Sequence, residues 1–147
     1  MFAKQIKKVA KRSFEFQQDE SDCGVAALSS IIQFHGGYVP LERLRAQSGT
    51  STSGTTMLGL LQAGNQAGFI TEAYEGTMEE LKKLTSPTLL HILKYETIEH
   101  YVVCYQFDGV NFLVGDPEDG IKTIGYRELD SKLRSVLWFH TSRCAIK

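Results

Sequence analysis

The stretch Gln17-Gln18-Asp19-Glu20-Ser21-Asp22-Cys23-Gly24-Val25-Ala26-Ala27-Leu28 passes from a polar loop into an apolar helix. Ala26, Ala27, Ile31 and Phe34 recur at helical spacing, and His35-Gly36-Gly37 closes the run. Cys23 therefore stands at the first turn of a predicted helix. Unpaired N–H groups and the positive end of the helix dipole there favour a thiolate, the nucleophilic form of the side chain. Small Ala26 and Ala27 allow close packing against a sheet, and Gly24 leaves room for a substrate backbone. Taken alone, a cysteine so placed is more often an inert buried residue.

Upstream, the first twelve residues hold Lys4, Lys7, Lys8, Lys11 and Arg12 and no acid, with Phe2, Ile6 and Val9 at helical spacing between them. Residues 1–13 read as a basic, solvated terminal helix; a contact with acidic lipid headgroups or a partner domain is the sharper reading. Phe14-Glu15-Phe16-Gln17 is short and alternating. Downstream, Pro40 opens a short helix through Leu41, Leu44 and Arg45. Ser, Thr and Gly dominate 48–56, which reads as a loop. Another helix runs from Met57 to near Gly68, and Thr77-Met78-Glu79-Glu80 is a capping box. Past Pro87, β-branched and aromatic runs occupy 88–93, 100–107, 111–115, 122–126 and 135–141, with Asp108-Gly109 and Asp119-Gly120 between three of them. Helices first and strands afterwards predict an α+β domain, N-terminal helices packed on a C-terminal antiparallel sheet.

A nucleophilic cysteine needs a base. Of the four histidines, His35 can cap a helix, His91 lies within an apolar strand and His140 in the last strand. His100 opens a strand, where a rigid sheet presents a side chain near solvent. Sixteen residues on, Asp116 ends the next strand, in Gly115-Asp116-Pro117. A two-residue turn at Asp108-Gly109 would pair His100 with Pro117 and turn Asp116 away. A three-residue loop of Phe107-Asp108-Gly109 would set His100 and Asp116 directly opposite, Cβ atoms about 4.5–5.5 Å apart. Both registers remain open at this point. Asp116 could also serve simply as a turn former ahead of Pro117.

Composition narrows the classes. The chain has 147 residues, 42% hydrophobic and 22% charged, as expected of one globular domain. Sixteen basic and seventeen acidic residues give a net charge of −1, against a generally basic nucleic-acid binder. No run approaches a membrane span, and no apolar segment follows the charged N-terminus as in a signal peptide. The three cysteines, Cys23, Cys104 and Cys144, show no CxxC or Cys/His ligand spacing. They suggest neither a disulfide framework nor a zinc site, and they fit a reducing compartment. Nothing in the sequence calls for a cofactor.

The Gln17–Leu28 stretch, with Glu99-His100-Tyr101-Val102-Val103 and Gly115-Asp116-Pro117-Glu118-Asp119-Gly120, resembles the bacteriocin-processing peptidase family. Members are papain-like cysteine peptidase domains of peptide-exporting ABC transporters that cut leader peptides after a double glycine. The stretch Ser53-Gly54-Thr55-Thr56 and the 87–91 strand resemble it too. The resemblance implies a papain-like fold with Cys23 as nucleophile, His100 as base and then acid, and Asp116 as orienter of His100. It selects Gln17, six residues before Cys23, over Gln18 as an oxyanion-hole donor. It implies a peptidase domain over 14–141 and, at 142–147, the start of a linker to membrane and nucleotide-binding domains. No Walker sequence is present. The domain would then work at the cytoplasmic side of the membrane.

A slot that admits only glycine offers little binding energy, so affinity must come from farther up the leader. The family's amphipathic leaders imply an exposed apolar groove, with Met57, Leu58, Leu61, Phe69 and Tyr74 as candidates. Two other functions fit the same residues. One is a non-catalytic leader-docking module, against which the presence of Cys23 argues. The other is another papain-like enzyme, such as a cell-wall amidase or a transglutaminase-like protein.

Overall fold

A computed structural model describes residues 3–141. Four helices come first: α1 (Lys4–Ser13), α2 (Cys23–Phe34), α3 (Leu41–Ser48) and α4 (Met57–Gln66). Strand β1 (Phe69–Tyr74) and the one-turn helix α5 (Met78–Leu81) follow. Then come β2 (Thr88–Lys94), β3 (Ile98–Phe107), β4 (Asn111–Asp116), β5 (Gly120–Gly125), α6 (Tyr126–Lys132) and β6 (Leu133–Thr141). The strands form one antiparallel sheet in the order β1-β6-β2-β3-β4-β5. The fold is α+β, as the helix-then-strand order predicts.

The sheet is covered on both faces. Leu28, Ile31, Leu44 and Leu60 from the helices meet Leu89, Tyr101, Val103 and Leu137 on one face. Met78, Leu81 and Leu129, from α5 and α6, meet Leu90, Val102, Phe112 and Val136 on the other. Burial on both sides explains why β2 and β3 read as nearly continuous apolar runs. Within the basic N-terminal segment, α1 is packed onto the rest of the domain. Ile6 and Ala10 of α1 join the helix-side core while its lysines and Arg12 stay exposed. Among the described residues no helix is long and apolar enough to cross a membrane. The expected tail at 142–147, with Cys144, lies outside the described residues.

Two elements escape the sequence pattern. In β1 only Phe69 is buried, and the strand exists because its backbone pairs with β6 from Phe69–Thr141 to Tyr74–Val136. In α6 only Leu129 is buried, so no helical period is visible, and Tyr126, expected in a strand, begins this helix. The alternating Phe14–Gln17 segment is a strap rather than a strand. Phe14 lies where a Cβ on Gly115 would be, Phe16 lies against Gly120, and the two rings meet edge-on at 5.0 Å. Between them the Glu15 carboxylate accepts from Ser29 Oγ and Gln33 Nε2 of α2.

Neither expected hairpin register is observed. Phe107 pairs with Phe112 and Gln106 with Leu113, leaving a four-residue loop in which Asp108 Oδ1 accepts from the Val110 and Asn111 N–H groups. Counted straight up from that loop, Asp116 would meet Val103, and its side chain would leave the His100 face. A β-bulge intervenes. Tyr105 has no partner, and the ladder resumes at Cys104–Val114 and Val103–Gly115. Asp116 then comes opposite Val102, diagonal to His100 and on its face.

Candidate active site

Cys23 is the first residue of α2. Asp22, its N-cap, makes no side-chain cap bond to the helix, because its carboxylate is taken by Arg45 of α3. Arg45 Nε reaches Oδ1 at 2.8 Å and Nη2 reaches Oδ2 at 2.6 Å. The Arg45 guanidinium holds Asp22 below the usual carboxylate range despite burial. This pair fixes the turn that delivers Cys23. Replacing Arg45 by methionine would strand a buried carboxylate and is expected to cost about 3 kcal/mol at neutral pH. Asp22 contributes its stability above its unfolded pKa of about 4 and loses it as pH falls. Wild type and variant should therefore converge in acid. Urea unfolding at both pH values checks this, and an equal gap at each would refute it. Gly24 does not face substrate. A Cβ there would lie 3.2 Å from Leu60 and 3.3 Å from Tyr101, so Gly24 lets α2 seat against α4 and β3.

Cys23 stands beside His100 in the cleft, close enough to raise its imidazole. His100 Nε2 lies 2.7 Å from Asp116 Oδ1, which leaves Nδ1 for the thiol. Burial opposes a charge on His100, but Asp116 and Cys23 outweigh it and raise the imidazole to about 9. Asp116 is nearly inaccessible and saturated. Oδ1 also accepts from the Glu118 N–H at 2.9 Å, and Oδ2 accepts from Lys94 Nζ at 2.9 Å. Burial pushes its carboxyl up, yet His100 and Lys94 hold it far below the usual range.

Gln17 and Gln18 part company. Gln18 accepts from Arg45 on the surface, whereas Gln17 lines the Cys23 cleft. Gln17 is anchored by its N–H on Pro117 O at 2.9 Å, and its buried Oε1 has no partner among the described residues. The cleft, about 440 Å³, is walled by Ser53–Thr55, His91, Tyr95, Ile98 and Tyr101 as well. Of the groove candidates, Met57 lines the recess that continues the cleft past Thr55, and Leu58 is exposed beside it. The other three line neither the cleft nor this recess. Leu61 and Phe69 pack into the helix-side core, and Tyr74 stacks on Trp138. Tyr95 and Ile98, both exposed at the mouth, are the apolar wall that the sequence reading missed. They sit in a hairpin tip that reads as merely polar.

His91 faces Glu99 at 3.5 Å and His140 lies on the surface, so neither meets a cysteine. Cys104 is fully enclosed, and burial pushes its thiol up to about 12. Lys94 had no sequence signal, since a lysine ending a strand is ordinarily exposed.

A family model described as the peptidase C39 family matches residues 11–144. The pediocin PA-1 transport/processing ATP-binding protein PedD of Pediococcus acidilactici is 37% identical over 109 residues, which are 73% of this chain and 15% of that protein. This chain spans only 15–16% of the length of such curated relatives. The crystal structure of the peptidase domain of Streptococcus ComA, a bifunctional ABC transporter of a quorum-sensing pathway, superposes with a TM-score of 0.80. It is 27% identical, over 87% of this chain and 97% of that one. A double glycine motif protease from an AMS/PCAT transporter, solved with its leader peptide, gives 0.78 at 29% identity, over 86% and 89%.

Proposed function

The chain belongs to the peptidase C39 family, a family of cysteine peptidases with the papain-like fold, and from that premise we propose that it cuts the leader from a precursor peptide after a Gly-Gly pair. The observation that carries this reading is the Cys23–His100–Asp116 chain at one cleft, with Gln17 beside it. Cys23 attacks the carbonyl carbon of the second glycine. The resulting oxyanion is held by the Cys23 N–H and the Gln17 side-chain amide. The His100 imidazolium gives its proton to the leaving amine as the C–N bond breaks. Neutral His100 then takes a proton from water, which attacks the thioester and releases the leader acid and the thiol. Asp116 keeps Nε2 occupied, so that Nδ1 faces sulfur throughout.

The partners in this reading are a precursor with an amphipathic helical leader and the membrane and nucleotide-binding domains of an ABC exporter. Its place is the cytoplasmic side of the membrane, where precursors are made. Relatives named as processing and transport proteins for a bacteriocin support it, as does the leader-bound neighbour. The deciding experiment is mass spectrometry of double-glycine precursors incubated with the domain. One cut after Gly-Gly is the expected result. No cut, together with slow alkylation of Cys23, would favour a docking module instead.

A further inference from the structure

The ammonium of Lys94 is almost fully enclosed and makes three contacts to carboxylates. It reaches Asp116 Oδ2 at 2.9 Å, Glu118 Oε1 at 2.7 Å and Asp119 Oδ2 at 3.0 Å. Three N–H groups and three acceptors leave the ammonium no unused donor. The geometry assigns Lys94 as the positioning residue of this site, pinning one oxygen of Asp116 so that the other stays on His100 Nε2. The proposal rests on the peptidase reading but concerns how the site is held.

A carboxylate at the end of a strand can rotate about two side-chain bonds. Asp116 is prevented from doing so because each oxygen is claimed from a different element. Oδ1 is held by His100 on β3 and the Glu118 N–H in the turn, and Oδ2 by Lys94 at the end of β2. Lys94 also binds the outer carboxylates of that turn, which carries Pro117, the anchor of Gln17. One ammonium thus couples the orienter of His100 to the strap that presents Gln17. Lys122 of β5 is the other cation facing Asp116. It is half-exposed and 3.5 Å from Oδ2, so it supplies charge without a fixed direction. Burial opposes the charge on Lys94, and its bonds to Glu118, Asp116 and Asp119 outweigh that cost.

The test uses iodoacetamide alkylation of Cys23, located by mass spectrometry and followed against pH, beside kcat and KM on a leader peptide. With Lys94→Met, Asp116 loses a partner and protonates more readily. The acid limb of the Cys23 alkylation profile should move up by about one pH unit, so that the rate measured on that limb falls roughly tenfold. KM should change less than twofold and kcat should fall with the alkylation rate. Lys122→Met removes the same charge without the buried contact and should change the rate less than twofold. In an Asp116→Asn background, Lys94→Met should leave the Cys23 alkylation profile unchanged, because its path to the thiol runs through that carboxylate. The last comparison decides the matter if the single variant does not fold, since its background already lacks one of the three acidic charges that Lys94 neutralises. An unchanged alkylation profile, an equal effect of Lys122→Met, or a further loss in the Asp116→Asn background would each overturn the assignment. If wild type alkylates as expected yet cuts no precursor, the substrate reading fails while Lys94 keeps its role.

Discussion

Cys23→Ala will lower leader cleavage by about 10⁴-fold or more, and His100→Ala by a similar factor, with both proteins folded. In the proposed mechanism the nucleophile and the proton carrier act as one unit, so losing either removes the covalent route. Folding should survive for different reasons. Alanine is a good first-turn residue for α2, and the Cys23 side chain is partly open to the cleft. Removing the imidazole does not orphan Asp116, which keeps Lys94 and the Glu118 N–H. Cys104→Ala is the contrast. It vacates a fully buried position on the far face of the sheet and should cost about 1 kcal/mol of stability with cleavage intact. Activity lost in Cys104→Ala but kept in Cys23→Ala would reverse the assignment. The pH profile of the wild type carries the same logic. Asp116 and Cys23, outweighing burial, keep His100 protonated to about 9, so kcat/KM should fall above that pH as the proton for the leaving amine is lost.

Exchanging either glycine of the leader's double-glycine pair for alanine should nearly abolish cleavage while leaving leader binding almost unchanged. In the proposed mechanism the reacting atoms would sit between α2 and the Ser53–Thr55 and Tyr101 wall of the cleft, and a packed wall yields little to an added methyl. The added Cβ must displace the scissile carbonyl from the thiol, and small misplacements of reacting atoms cost large factors in rate. Affinity should come from farther up the leader. Each buried Leu or Ile of its helix should supply roughly 1.5–3 kcal/mol, so trimming one to alanine should raise KM about tenfold or more. Cargo beyond the cut should matter little. Separate measurement of kcat and KM across leader variants, with an unrelated cargo fused to the native leader, checks the division. Tolerance of bulky residues before the cut would refute it.

Much of this was legible in the chain itself. Cys23 at a helix start, the capping box at Thr77–Glu80 and the order of helices before strands are local patterns, and they stand in the fold. What was not legible depends on long-range pairing. The β1 strand is held by backbone bonds to β6, which carry no side-chain signature. The apolar groove candidates Leu61 and Phe69 turned inward because apolar residues near a loop serve core and surface alike. Lys94 could not be picked out, since the three acids that neutralise it come from a turn more than twenty residues away. The His100–Asp116 register depended on a bulge that no turn motif announces.

That bulge also governs which changes of chain length the hairpin can bear. Tyr105 is a surplus residue in the ladder, held in the helix-side core without a partner. A chain shortened by one at Gln106 can close the gap by drawing Tyr105 into the vacated pairing with Leu113, and every contact from Cys104 back to His100 keeps its place. A chain lengthened by one has no such slack, because a second surplus residue must either swell the bulge or rotate the whole upstream half of β3 by one face. Gene variants losing one codon here should therefore keep the histidine–aspartate contact, whereas variants gaining one keep it only where the bulge takes up the second surplus residue.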